Sequence, residues 1–336
     1  MPCISVIIPI FNKKRYVQTI LTQLRDQSFR DYECIIVDDG STDGSSQICD
    51  HFCHEDERFR VFHIQNGGVS HARNLGMGKA EGEFLTFVDA DDQIHRDYLK
   101  NLYDCITQNG VDMVIGSIQK VWTDSNRKVS VIPPYTGYRK MAEIMPSFAQ
   151  VQRDSGIFGI CTAKLFRKGL AQNYCFDESL ILAEDFDFYL KLYKVMNTVF
   201  FDDKPYYYYL QVAQNSSSLV EDRAIDYLAQ LRIMIHYRDF LQSKNAYCGE
   251  NEEIVAQRLS DYSYFVLLYA GREKLKQQYS ALRSILLKER FPLHGKTLMQ
   301  KWVLFTLKNN LCVFTKATFI LYDFFRKLSR RNTQRR

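Results

Sequence analysis

The chain has 336 residues, 46% hydrophobic and 25% charged, with 21 Tyr and 23 Phe, which allows one large catalytic core plus a smaller appendage and excludes a disordered chain. The net charge of +5 is concentrated at one end: residues 296–336 hold ten Lys or Arg against the single acid Asp323, so the preceding 295 residues are net −4 and no nucleic-acid partner is expected. Nine scattered cysteines without paired spacing read as reduced core thiols, and the cluster Cys49, His51, Cys53, His54 has no finger spacing and no second ligand pair.

In chain order, residues 4–8 (ISVII) predict a buried strand. The apolar run there lacks a basic leader and contains Pro9, so no secretory signal is expected and the protein is expected in the cytoplasm. Asn12 is placed to cap a helix whose Val17, Ile20, Leu21 and Leu24 fall on one face. A second buried strand at residues 34–37 ends in Asp38-Asp39-Gly40-Ser41-Thr42-Asp43. A short helix (46–52), a strand (60–64), a helix (70–80) and a strand (84–88) follow. Apolar strands alternating with helices imply a mostly parallel central sheet covered on both faces. A helix at 96–107 and a strand at 113–118 extend it, residues 125–134 read as a polar turn region, and strands at 198–201 and 205–210 flank a helix at 185–196. From about residue 221 the chain reads as helical, giving an α/β domain over 1–220 and a smaller all-helical region over 221–336.

Open α/β sheets bind ligands outside the carboxyl ends of their strands. The first such end, Pro9-Ile10-Phe11-Asn12, lacks the G-x-G-x-x-G turn of a dinucleotide fold. At the second, a carboxylate of the Asp38–Asp43 turn can accept hydrogen bonds from a pyrimidine N–H or a ribose hydroxyl. The fourth delivers Asp89-Ala90-Asp91-Asp92, three carboxylates in four residues, a density of hard oxygen ligands that suits Mn²⁺ or Mg²⁺ shared with substrate phosphates. Between them, Asn66-Gly67-Gly68-Val69-Ser70-His71-Ala72-Arg73-Asn74 turns into a helix N-terminus, which favours anions.

These four segments, in this order over roughly residues 3–210, resemble the inverting glycosyltransferases of family 2, which have the GT-A fold, a Rossmann-like domain for nucleotide-diphospho-sugars. The resemblance implies that Pro9, Ile10, Phe11, Asn12, Asp39, Arg73, Asp89 and Ala90 bind the donor, with Asp38 as the alternate acid of its pair. It assigns a divalent metal to Asp91 and Asp89, bridging the diphosphate, and Leu182-Ala183-Glu184-Asp185 resembles the family's Glu-Asp motif, whose Asp is the general base, here Asp185. Residues 159–168 resemble the segment before the acceptor site, with Cys161 and Ala163 where many relatives carry Trp and Asn. Leu210-Gln211 stands where relatives often carry Arg.

The implied activity is metal-dependent transfer from a UDP-sugar to a hydroxyl of a glycan or lipid-linked acceptor in cell-surface polysaccharide synthesis. The alternative is a nucleotide-sugar-binding scaffold without turnover on the same fold. From residue 297 onward aromatics interleave with lysines, and no uninterrupted apolar stretch reaches the roughly 20 residues of a spanning helix. This basic amphipathic tail (297–336) fits peripheral contact with an anionic membrane, placing the protein at the inner face of the cell membrane, or packing on protein, including a homo-oligomer through the C-terminal helices.

Overall fold

The computed structural model describes residues 2–125, 127–211 and 225–319. The chain divides into two compact units, Met1–Leu219 with Ser243–Ala246, and Val220–Gln242 with Tyr247–Arg336.

The first unit is α/β. Its elements in chain order are β1 (Ile4–Ile10), α1 (Lys14–Arg25), β2 (Tyr32–Asp38), α2 (Ser45–Glu55), β3 (Phe59–His63), α3 (Val69–Lys79), β4 (Phe84–Phe87), β5 (Gln93–Ile94) and α4 (Tyr98–Asn109). Then come β6 (Met113–Trp122), β7 (Lys128–Val131), β8 (Gly137–Lys140), α5 (Met141–Ile144), α6 (Phe148–Ser155), β9 (Lys164–Arg167), α7 (Glu184–Val195) and β10 (Thr198–Gln211). The sheet runs in the order β3-β2-β1-β4-β9-β6-β10-β5, with β7 on β6 and β8 on β10. β3, β2, β1 and β4 are parallel, as are β6 and β10.

Burial explains the central strands. Ile4, Val6, Ile7, Ile8 and all of β2 are buried, as strands covered on both faces require. α1 lays Val17, Ile20, Leu21 and Leu24 on the same core that receives Tyr98, Leu99 and Leu102 of α4. Parallel pairing brings the carboxyl ends of β1, β2 and β4 to one edge, which is where the acidic turns emerge.

Four features depart from the sequence reading. The polar stretch expected as a turn region contains β7, an exposed strand paired antiparallel to β6. The two strands expected at 198–210 are one strand, β10, whose register shifts between Asp202 and Tyr207, around Pro205, which has no N–H to give a ladder. β9 inserts antiparallel between β4 and β6, pairing Phe84 with Arg167 and Met113 with Phe166. All nine cysteines are free, but Cys175 and Cys248 are exposed rather than core thiols.

The second unit is helical: α8 (Tyr227–Ser243), α9 (Gly249–Leu268), α10 (Gly271–Glu289) and α11 (Leu298–Lys308), followed by helical residues 312–319. Arg238 pairs with Glu289 at 2.7 Å, the Tyr279 hydroxyl donates to the Thr306 carbonyl at 2.8 Å, and Gln300 donates to Asp261 at 2.8 Å. Among the described residues no helix is long and apolar enough to cross a membrane. The basic tail beyond residue 319 lies outside the described residues.

One close approach fixes the start of β4 against β1. A Cβ on Gly82 would sit 2.7 Å from the Ser5 backbone nitrogen and 2.8 Å from the Ile4 carbonyl carbon, while the Gly82 N–H donates to the Ser5 hydroxyl at 2.8 Å. Gly82→Ala therefore destabilises the fold by about 1–3 kcal/mol through backbone displacement. Gly78→Ala, in α3 with open space around it, stabilises by about 0.5–1 kcal/mol through helix propensity. Denaturant midpoints of the two variants move in opposite directions if this packing is right and together if it is not.

Candidate active site

The ends of β1, β2, α3 and β4 enclose a cleft of about 530 Å³. Pro9, Ile10 and Phe11 form one wall, and Phe11 is nearly half exposed there. Asp39, Arg73, Asp89, Ala90 and Asp91 also line it. Eight of the residues expected at the site therefore share a single space, while Asn12, Asp38 and Asp185 lie outside its lining.

Asn12 lies outside this lining and does not cap α1. It adopts a left-handed backbone (φ 52°), Lys13 occupies the cap position, and the Asn12 side-chain oxygen instead accepts from Thr42 N at 2.8 Å. Asn12 thus ties the end of β1 to the turn after β2.

The two aspartates of that turn have different work. Asp38 lies outside the lining, and its buried carboxylate accepts from Ser41 N (3.1 Å) and Ser46 Oγ (2.6 Å) and contacts His63 Nδ1 (2.8 Å). Burial pushes its pKa up, but these hydrogen bonds outweigh burial and hold it below the ordinary value. Asp39, also buried, turns into the cleft and accepts from Gly67 N at 2.7 Å and Gly68 N at 2.9 Å. Gly68 needs φ of +90° to aim its N–H this way, which explains a glycine at this entrance to α3. The donors at this helix start, expected to favour an external anion, are thus engaged by the protein's own carboxylate.

Arg73 lies at the centre. Its side chain is 4% exposed, and its guanidinium donates to Asp185 at 2.6 Å, Glu184 at 3.2 Å and Asp89 at 3.2 Å, while stacking 5.4 Å from the Phe176 ring. One cation is shared by three carboxylates from β4 and α7. Burial raises the Asp89 pKa, with Arg73 opposing and Asp185 and Asp91 adding to the rise. Burial pushes Asp185 up to about 6, against the pull of Arg73. Asp92 belongs to the scaffold: its carboxylate accepts from the Tyr207 hydroxyl at 2.6 Å and from Leu210 N at 3.0 Å, pinning β10 to the acidic turn.

The start of α7 is held under strain. Ala183, immediately before Glu184, has φ of 61°, and Ala163 has φ of 57°, a conformation that costs a residue with a Cβ about 1–2 kcal/mol. The supporting contacts come from the 159–168 segment. Tyr189 of α7 donates to the Cys161 carbonyl at 2.8 Å, and the fully buried Lys164 donates to the carbonyls of Ile157 (2.9 Å) and Ile160. Burial pushes the Lys164 ammonium down to about 7.

The donor set fits a divalent cation. Asp89 and Asp91 are hard oxygen ligands on one strand end, and the carboxylates around Arg73 exceed its single charge. Among the described residues no three acidic, His or Cys side chains form a ligand cage, so Asp89 and Asp91 would supply only part of a cation's coordination. Sequence reasoning missed Lys13, which lines the cleft and pairs with Asp91 at 2.5 Å, and Tyr209 at the end of β10. The lysine follows directly on Pro-Ile-Phe-Asn, and that adjacency was the available signal.

The class of protein is given by its family, because Asp39, Arg73, Asp89 and Asp91 gathered at the β1, β2 and β4 edge of an α/β sheet fit several nucleotide-using enzymes. Residues 5–175 match the family model "Glycosyl transferase family 2", and the chain belongs to that family. It is 41% identical over 115 residues to the glycosyltransferase GlyG of Streptococcus pneumoniae, spanning 34% of this chain and 38% of GlyG. It is 30% identical over 224 residues to the uncharacterised glycosyltransferase EpsJ of Bacillus subtilis, spanning 66% of this chain and 64% of EpsJ. The match thus covers less than two thirds of either relative. The solved structure of S. aureus TarS 1–349 in complex with UDP-GlcNAc shares the GT-A fold, with a TM-score of 0.64 at 22% identity over 96% of this chain and 91% of that one.

Removing the shared cation tests this electrostatic account. Arg73→Ala leaves three carboxylates facing one another and costs about 3–5 kcal/mol at neutral pH. With Arg73 gone, the pKa values of Asp89 and Asp185 in the fold rise further above their unfolded values, so the penalty is full above the folded values and is relieved as pH falls through them. The stability gap between Arg73→Ala and wild type therefore narrows between pH 7 and pH 5. A gap independent of pH means that Arg73 acts through packing alone.

Proposed function

We propose that the chain is a metal-dependent inverting glycosyltransferase that moves a sugar from a UDP-sugar to a hydroxyl of a glycan or lipid-linked acceptor. The observation that carries this reading is the Arg73 cluster, which joins a donor-side acid, Asp89, to a candidate base, Asp185, through one guanidinium. The TarS structure was solved with UDP-GlcNAc, and that donor class suits a cleft with a buried carboxylate for a pyrimidine N–H and an exposed ring for base contact. In this reading Asp39 receives the base, Pro9, Ile10 and Phe11 wall it, and Asp91 with Asp89 hold Mn²⁺ or Mg²⁺. When bound, the cation offsets the charge that develops on the departing diphosphate.

The protein's own groups then do the following. Lys13 adds a cation beside Asp91. Asp185, ionised at neutral pH, accepts the acceptor hydroxyl proton on a carboxylate oxygen as the hydroxyl oxygen bonds to the anomeric carbon, and the bond to UDP breaks on the opposite side. Arg73 orients Asp185 at 2.6 Å and keeps it from drifting to a protonated state.

Metal-dependent release of UDP from a UDP-sugar is expected, abolished by Asp91→Ala. Asp185→Asn should lower transfer about 10²–10⁴-fold while UDP affinity stays near wild type. Retained turnover in that variant would overturn the base assignment. Because Asp185 must be ionised to act, and its partly buried position sets it at about 6, the rate in wild type should fall as pH drops below about 6. A flat profile down to pH 4.5 would exclude this carboxyl as the base.

A further inference from the structure

The end of the helical unit carries a surface that sugar transfer does not use. On α11, Leu298, Trp302 and Phe305 recur at helical spacing on one face and are exposed, Leu298 by 87%. The opposite face buries Val303, Leu304 and Leu307. Residues 312–319 continue the exposed surface with Val313 (77%) and Phe314 (54%). The Trp302 indole N–H donates to the Thr318 hydroxyl at 2.9 Å, and its ring stacks on Phe305 with centroids 5.8 Å apart, so both helical segments hold one aromatic ledge.

Charge selects the occupant. Lys301 and Lys308 border the stripe, Lys316 lies on the second segment, and from Arg290 to Tyr322 the sequence has no Asp or Glu. A second copy docking the same face would bring lysines against lysines with no acid to meet them, and lysine is depleted in protein interface cores. An anionic bilayer surface meets both requirements, apolar depth for Leu298, Trp302 and Phe305 and phosphate charge for the lysines.

We infer that this exposed aromatic and basic face is a membrane-docking surface for anionic lipid, independent of the transfer reaction proposed above. The test uses the whole chain with Trp122→Phe, leaving Trp302 as the single tryptophan, and vesicles of phosphatidylcholine with or without phosphatidylglycerol. The protein should co-sediment with the anionic vesicles only, and release at high salt. Trp302 emission should shift to the blue and be quenched by brominated acyl chains. Lys301→Gln, Lys308→Gln and Lys316→Gln together should lower the partition coefficient about a hundredfold, since each lysine contributes about fivefold. Leu298→Ser with Val313→Ser, which remove highly exposed side chains and so spare the fold, should lower it about tenfold or more.

Equal binding to neutral vesicles, or no binding, would overturn the inference. So would vesicle binding without any change in Trp302 emission, which would assign the contact to the Arg-rich residues 326–336. A concentration-dependent dimer broken by the serine variants, with no vesicle binding, would assign the face to a second copy.

Discussion

Arg73 brings one positive charge into a space bounded by Asp89, Glu184 and Asp185, and the arrangement of the site follows from that imbalance. A buried guanidinium must have its donors met, and a buried carboxylate is stable only with a partner. The two needs fix α3, the end of β4 and the start of α7 at hydrogen-bond distances although residues 73 and 185 are far apart in the chain. One cation does not neutralise three acids, and burial, with neighbouring carboxylates adding to it, holds the Asp89 and Asp185 pKa values above the ordinary range. That surplus of carboxylates is what motivates the proposal of a divalent cation held with a diphosphate.

The rest of the site protects that centre. Asp92 has its carboxylate occupied by Tyr207 and Leu210, so the third acid of the turn is spent on holding β10. Asp38 is likewise committed to Ser41, Ser46 and His63, which frees its neighbour Asp39 to face the cleft from two backbone N–H groups. Adjacent aspartates in one turn thus divide between the scaffold and the lining of the cleft. The strained backbone at Ala183 is held by the 159–168 segment through Tyr189 and Cys161, so residues outside the cleft set the position of Asp185.

What could be read from the sequence was whatever local pattern dictates. Short, nearly all-apolar runs gave β1, β2 and β4, the spacing of Val17, Ile20, Leu21 and Leu24 gave the buried face of α1, and acidic turns at strand ends gave the cleft. Decisions made by distant partners were not legible. β9 enters the sheet antiparallel because β4 and β6 each leave an edge for it, which no local propensity encodes. Asn12 looked like a helix cap by type and position, yet its side chain satisfies Thr42 from another turn. The resemblance put Arg73 with the donor, but its tie to Asp185 lies across 112 residues and needs the fold to be seen.

In the function proposed above, the protein supplies only part of a cation's coordination and the donor's diphosphate supplies the rest. Titrating Mn²⁺ into the protein and following free metal by its paramagnetic resonance signal, with and without UDP, tests this most directly. The claim predicts weak binding alone and affinity raised at least about tenfold by UDP, with UDP affinity raised reciprocally by the same factor. Metal affinity that UDP leaves unchanged, in either direction, would contradict it.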